Sequence, residues 1–376
     1  MRGLAALIVL FSHIIDAFYP VLNPSLTVSP ISLDVLAKQS LLIKAFVFTP
    51  LSILYNGLFA VMFFLLISGY VVSYNCFHNK DENYISASFF RRYFRLTIPI
   101  LFSCFISYLL LKVGVFPKVS QFFACDANFF NMIKLVLYDE YFGSPNENLQ
   151  CYNFVLWMMH ALLLGSFLVY AFWALFGRVS IKLRIFFYIA LIIIFSKSLL
   201  LAVIFGMILC DMDANNIFKN VNKISLLIML LLGIYLSSFM RYDFPFYTIL
   251  DIDFMKNYFG DLGALLFFYN IIGAFLLFFV LSRLSFSIKV FSNKLALYLG
   301  KISFSIYLLH FIVIFSLSTY IFIWLRNSIN ASHELSFIVA SVITILVTIS
   351  LSHIFHLYVE SKSINWSKSL YNLVSR

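Results

Sequence analysis

Long apolar stretches separated by short polar ones run the length of the chain. Ten of them read as membrane-crossing helices, near residues 3–19, 56–76, 96–115, 154–176, 184–195, 199–210, 223–239, 262–282, 300–325 and 336–358. A spanning helix needs about 20 apolar residues at 1.5 Å rise each. The fifth and sixth stretches are shorter. They read as one bent re-entrant hairpin or as two thin helices sheltered by neighbours. There is no internal repeat and no low-complexity linker. The expected architecture is all-α: a polytopic membrane protein of about ten transmembrane helices. Residues 1–376 should form a single transmembrane domain, with a short polar tail and no fused soluble domain. The first stretch, GLAALIVLFSHIIDAFY, lacks a small-x-small cleavage site and carries His13 and Asp16. It reads as a retained helix rather than a signal peptide. The abrupt opening at Met1-Arg2 suggests that a few residues precede it.

Composition narrows the class. Apolar residues make up 62% of the chain and charged residues 11%, against roughly 45–50% and 25% in soluble proteins. No soluble core could hide so many Phe, Leu and Ile side chains. This excludes an ordinary soluble enzyme, a nucleic-acid-binding domain and a disordered chain. The formal charge of +10 therefore reads as Lys and Arg held at the cytoplasmic surface of a membrane. The connecting segments fall into two alternating sets, and one holds 17 of the 26 Lys and Arg, among them Arg2, Arg91, Arg92, Arg95, Arg184 and Arg283. That richer side is expected to be cytoplasmic, which places both termini inside. Asp139 and Glu140 fall on the other, outer side with Asp126, Glu147, Asp243, Asp251, Asp253 and Asp261. The five Cys show no CxxC spacing and no His/Cys cluster, so no metal site is expected. Cys125 and Cys151 share the outer loop 116–153, where an oxidising compartment would permit a disulfide. Two unpaired thiols are an equally open reading.

Ionisable groups within a membrane are costly, and they default to function unless a structural partner explains them. Arg2 and His13 lie eleven residues apart, three helical turns plus about 20°, so they share one face of the first helix. His13 sits roughly 16 Å deeper than Arg2. Asp16, three residues on, can reach the imidazole. Such a pair suits proton transfer, because imidazole titrates near neutrality and a carboxylate orients it. The competing reading is a His that only hydrogen-bonds a neighbouring helix. In FFRRYFRLTIP, Arg92 and Arg95 stand three residues apart, with Arg91 beside them. At the start of the third helix they would suit phosphate. Alone, such a cluster reads as a plain topology signal. Ser303, Tyr307 and His310 form one polar stripe on an apolar helix, suited equally to a site or to helix–helix hydrogen bonds. Ser68-Gly69 reads mainly as a close-packing pair. Trp157 and His160 are one turn apart, and His160 is expected near the outer interface.

Together these segments resemble the acyltransferase-3 family of integral-membrane O-acyltransferases. The likeness rests on RGLAALIVLFSH (Arg2 to His13), FFLLISGY at 63–70, the Arg92/Arg95 pair in FFRRYFRLTIP, LWMMHALLLGS at 156–166 and GKISFSIYLLH at 300–310, in the family's order. The resemblance implies that Arg2 and His13 match an essential pair and that Arg92 and Arg95 face an acyl-CoA. It implies transfer of an acetyl group from cytoplasmic acetyl-CoA, a co-substrate rather than a tightly bound cofactor, to a lipid-linked or surface glycan such as an O-antigen of lipopolysaccharide. It also implies a bacterial inner membrane, membrane lipid as the surroundings, and no nucleic-acid partner. Many relatives carry a Glu five residues after the Trp, where this chain has Leu162. Asp16 is then the carboxylate expected to serve. The rival functions are a polysaccharide flippase or polymerase and a proton-coupled transporter.

Overall fold

A computed structural model describes residues 1–23, 32–78, 82–116, 127–143, 152–218, 221–241 and 244–375. Cys125 and Cys151 lie outside the described residues. Every regular element among them is helical. The ten apolar stretches all fold as helices: α1 (Arg2–Phe18), α2 (Gly57–His78), α3 (Glu82–Val113), α4 (Met159–Phe176), α5 (Ile181–Ile194), α6 (Leu200–Ala214), α7 (Lys223–Ser237), α8 (Leu262–Arg283), α9 (Ser303–Asn327) and α10 (His333–Val374). Six helices among the described residues are long and apolar enough to cross a membrane by themselves. The others, α1, α5, α6 and α7, have 17, 14, 15 and 15 residues. A bend at residues 195–199 separates α5 from α6, so they are two helices. Large apolar side chains such as Ile193, Leu231 and Leu346 stand exposed. That is the surface of a chain whose solvent is lipid. This is a multi-pass membrane protein.

The chain forms two compact units, each discontinuous in sequence: Met1–Lys80 with Leu168–Leu297, and Asp81–Phe167 with Tyr298–Arg376.

In the first unit α2 is the central helix. It is apolar on every side, and Phe59 to Gly69 is buried without a break; a helix hydrophobic all round belongs inside. It packs against α1, α6 and α8. Gly69 and Gly206 make the α2–α6 crossing possible. A Cβ on Gly69 would lie 2.1 Å from the Val203 carbonyl oxygen, and one on Gly206 would lie 2.0 Å from that of Leu66. In lipid, small residues let backbones approach this closely and gain dispersion in place of hydrophobic drive. One end of the unit is closed by amides. Asn56 Nδ2 donates to Ser237 O at 2.8 Å and to Asn270 Oδ1 at 3.0 Å, and Asn270 Nδ2 donates to Phe239 O at 3.0 Å. These bonds satisfy carbonyls that the end of α7 leaves open.

Arg184 and Arg283 count as loop charges in the sequence, but both turn inward. Arg184 is buried and grips Asp211 through two bonds of 2.9 Å, and Tyr188 Oη donates to the same carboxylate at 2.7 Å. Arg283 donates to Asp213 at 2.7 Å and lies 3.6 Å above the Phe279 ring.

The second unit holds α3, the start of α4, α9 and α10. Here the helices outrun their apolar stretches. α3 begins at Glu82, not near 96, because FFRRYFRL continues the helical pattern below the apolar run. α10 continues to Val374, so the expected polar tail is helical, and Tyr371 meets Phe90 of α3 at 5.9 Å. Three π turns, Leu135–Asp139, Ile314–Ser318 and His356–Glu360, all fall in this unit. Part of the expected outer loop packs along α3. Phe129 meets Tyr108 edge-on at 5.9 Å, Tyr93 Oη donates to Leu137 O at 2.6 Å, and Tyr141 and Thr97 share a hydrogen bond of 3.1 Å. Tyr108 and Tyr93 are fifteen residues apart on α3, about 22 Å of helix. Residues 129–142 therefore run back along α3 toward its arginines. The chain returns at Tyr152, whose hydroxyl donates to Asn128 O at 2.8 Å.

Candidate functional site

α1 presents His13 as its sequence predicts. Nδ1 lies 3.4 Å from Asp16 Oδ2, and both side chains are about a fifth exposed. This is ion-pair distance across one helical turn. The second Asp16 oxygen accepts from Asn23 Nδ2 at 2.5 Å, and the same nitrogen reaches Ser12 Oγ at 3.3 Å. Asp16 is thus held from both sides, by the imidazole and by the Asn23 amide, and it fixes the imidazole ring. A carboxylate at Nδ1 stabilises the tautomer with its proton there, which leaves Nε2 as the basic nitrogen. Asn23 has no signal in the sequence beyond its closeness to the helix end. Arg2, at the head of α1, lies 5.8 Å from the centre of the Phe64 ring. Ser68 is buried on α2 beside Gly69, where the close approach of α6 supports its reading as a packing residue.

In the second unit the arginines differ from expectation. Since α3 starts at Glu82, the open N–H groups of its first turn lie well before Arg91, and no helix terminus supports an anion at that position. Arg95 is exposed, while Arg91 is tied down locally to Ala87 O at 3.0 Å and Ser88 Oγ at 3.3 Å. Arg92 is half-buried and within electrostatic reach of Tyr141. Two guanidinium groups, one exposed and one turned to the bundle, can still hold phosphate as forks.

Ser303, Tyr307 and His310 face inward, each almost wholly buried. The Tyr307 hydroxyl donates to Val155 O and ties α9 to the 3₁₀ turn Phe154–Met158. That is the helix–helix role. Ser303 donates to Gly300 O at 2.9 Å, and His310 Nδ1 pairs with Ile306 O at 3.0 Å. Trp157 is half-buried in the 3₁₀ turn. Asn153, just before it, donates to Leu308 O at 2.9 Å and Ser103 Oγ at 3.5 Å. The turn that leads into α4 is therefore tied to α3 and to the first part of α9, and His160, in the first turn of α4, is half-buried.

Leu162 is buried and offers no carboxylate. Glu140, on the expected outer loop, lies within electrostatic reach of Cys104 and Tyr307. Burial pushes its carboxyl above the ordinary range, to about 8. Its segment, FFNMIKLVLYDEYF, is largely apolar, and that was the available signal. His13, Asp16, Arg2 and Ser68 belong to the first unit; Arg91, Arg92, Arg95, Trp157, Ser303, Tyr307 and His310 belong to the second.

No curated protein and no solved structure matches the chain. A family model described as an acyltransferase domain matches residues 1–356 of the 376. With a multi-pass helical body carrying the family's motif residues in order, the chain belongs to the acyltransferase-3 family and is a membrane acyltransferase.

Proposed function

We propose that the protein moves an acetyl group from cytoplasmic acetyl-CoA to a hydroxyl of a lipid-linked or surface glycan, such as a lipopolysaccharide O-antigen, in a bacterial inner membrane. The observation that carries this reading is the His13–Asp16–Asn23 array, a part-accessible imidazole with an oriented carboxylate on a membrane helix. His13 Nε2 takes the proton of the acceptor hydroxyl. The freed oxygen attacks the thioester carbon, the new C–O bond forms, and the C–S bond breaks. Asp16 keeps the ring aligned and offsets the positive charge that His13 gains. Transient acetylation of His13 itself is the covalent variant of the same chemistry. Arg92 and Arg95 hold the phosphates of the donor, with Arg91 beside them, and Arg2 stands at the cytoplasmic head of α1.

A flippase or polymerase would have no need of acyl-CoA, and a transporter would use His13 and Asp16 only as a proton relay. The family membership supports transfer over both. Mass spectrometry of surface glycan from cells with and without the protein tests the reading. His13→Ala should lower acetylation by about 10²–10⁴-fold while the protein remains in the membrane. Full acetylation by His13→Ala would remove the mechanism.

A further inference from the structure

The last part of α10, Ser361–Val374, lies beyond the residues that the family model matches and takes no part in the transfer proposed above. Its sequence, SKSINWSKSLYNLV, sorts into two faces. Trp366, Leu370, Leu373 and Val374 follow one another at helical spacing along one side, and they are 45%, 37%, 74% and 68% exposed. The face that packs on α3 carries Ser363 and Ser367 instead. Both are buried, and their hydroxyls donate to the carbonyls of Glu360 and Ile364 at 2.7 and 2.8 Å. The polarity is thus inverted: small hydroxyl residues point at the protein and large apolar ones point away from it. A helix that extends into water would bury the opposite face.

Length sharpens the problem. α10 has 42 residues, about 63 Å of helix, whereas a bilayer is about 40–45 Å thick with its headgroups. A straight α10 would carry the apolar stripe into water. Both helices of this pair hold a known cause of bending, and at a similar level. On α10 it is the π turn His356–Glu360; on α3 it is Pro99. Tyr371 lies against Phe90, and the π turn, which ends eleven residues before Tyr371, also packs on α3. Only eight residues of α3 precede Phe90, so the π turn falls beyond Phe90, close to Pro99.

We propose that Ser361–Val374 lies along the membrane surface and seats Trp366, Leu370 and Leu373 in the lipid of the expected cytoplasmic leaflet. Helices of this kind bury their apolar face about 5–10 Å into the boundary of headgroup and acyl chain. Three features favour lipid over a protein partner. The stripe continues, along one helix, from the lipid-facing side chains Leu357 and Tyr358. It includes a tryptophan, whose ring suits that boundary. Exposed Lys362 and Lys368 accompany it, and ammonium groups there attract anionic phospholipid. The stretch of α3 beneath the tail carries Arg91, Arg92 and Arg95, and the tail holds it at the depth of lipid phosphate.

The test uses the full-length protein in vesicles of phosphatidylcholine and phosphatidylglycerol. The chain has four Trp, and the difference between wild type and Trp366→Phe isolates the emission of Trp366. Phospholipid brominated on its acyl chains should quench that emission, and acrylamide in the water should spare it. Leu370→Glu combined with Leu373→Glu should reverse the pattern. Lys362→Glu combined with Lys368→Glu should weaken lipid quenching in these vesicles and have little effect in pure phosphatidylcholine. A second readout needs no fluorescence: a water-soluble maleimide should label Asn372→Cys severalfold faster than Leu373→Cys, with the labelled peptide identified by mass spectrometry. Quenching by acrylamide rather than by lipid, or equal labelling of the two variants, overturns the proposal. Protection from both quenchers overturns it as well, because protein, such as a second copy of the chain, would then cover the stripe.

Discussion

The side chains that matter most here are polar groups with fixed partners in apolar surroundings. Asp211 illustrates the rule. Arg184, Tyr188 and Asn215 all donate to it, and it is wholly buried. Removing one member of a buried pair leaves the other charge without compensation, which costs about 3–5 kcal/mol. Asp211→Ala should therefore lower thermal stability in detergent sharply. A double variant, Arg184→Met with Asp211→Leu, should regain most of it, because apolar residues of similar size replace such pairs at little cost. A melting temperature that stays low in the double variant would mean that the pair does more than neutralise itself. Asp16 differs in kind. Its partners hold it at an imidazole rather than at a guanidinium, and it stays part-accessible. The spacing of His13 and Asp16 made that pairing legible in the sequence. Asn23, beyond the helix end, was not legible, because its bond depends on how the chain turns after Tyr19.

At the scale of elements, apolar patterning marked the ten stretches that fold as α1 to α10, six of them long enough to span by themselves, while their ends followed a different rule. Hydropathy marks where a helix meets lipid, whereas backbone hydrogen bonding continues for as long as side chains permit. α3 thus starts at Glu82 and α10 runs on to Val374. The extension of α3 removes the helix-terminus argument for the arginines. The α2–α6 crossing depends on single hydrogen atoms at Gly69 and Gly206. Gly206→Ala would set a methyl against the Leu66 carbonyl at 2.0 Å, and backbone cannot yield as a flexible side chain can. Overpacking of this sort costs about 1–3 kcal/mol or more. We expect a lower melting temperature and less protein in the membrane for Gly206→Ala, measured beside Gly300→Ala, where the added methyl meets nothing within 4 Å. Equal stability of the two variants would refute the close-packing argument.

At the scale of the molecule, the chain is two interleaved units, each built from helices distant in sequence. The imidazole and its carboxylate belong to one, and the arginines, the α9 stripe and Glu140 to the other. The proposed function divides the labour in the same way: base chemistry on α1, grip on the donor in the unit of α3. It follows that Arg95→Ala should act on donor affinity rather than on turnover. Loss of a hydrogen bond between charged groups, about 1.5–3 kcal/mol, corresponds to a KM for acetyl-CoA raised roughly 10–150-fold at nearly constant kcat. An unchanged KM would return Arg95 to the role of a topology signal.

Composition and periodicity alone determined that this chain lives in a membrane, that it is helical throughout the stretches they marked, and that Arg2 and His13 share one face of α1. These properties are set by transfer free energy and helical spacing, both local along the chain. Tertiary structure alone decided that Arg184 and Arg283 are internal, that Tyr307 ties α9 to Val155, and that Tyr141 of the expected outer loop bonds Thr97 of α3. Each of these depends on which distant segment supplies a partner. A hydropathy profile records the cost of burying a polar group, but the partner that offsets that cost comes from the fold.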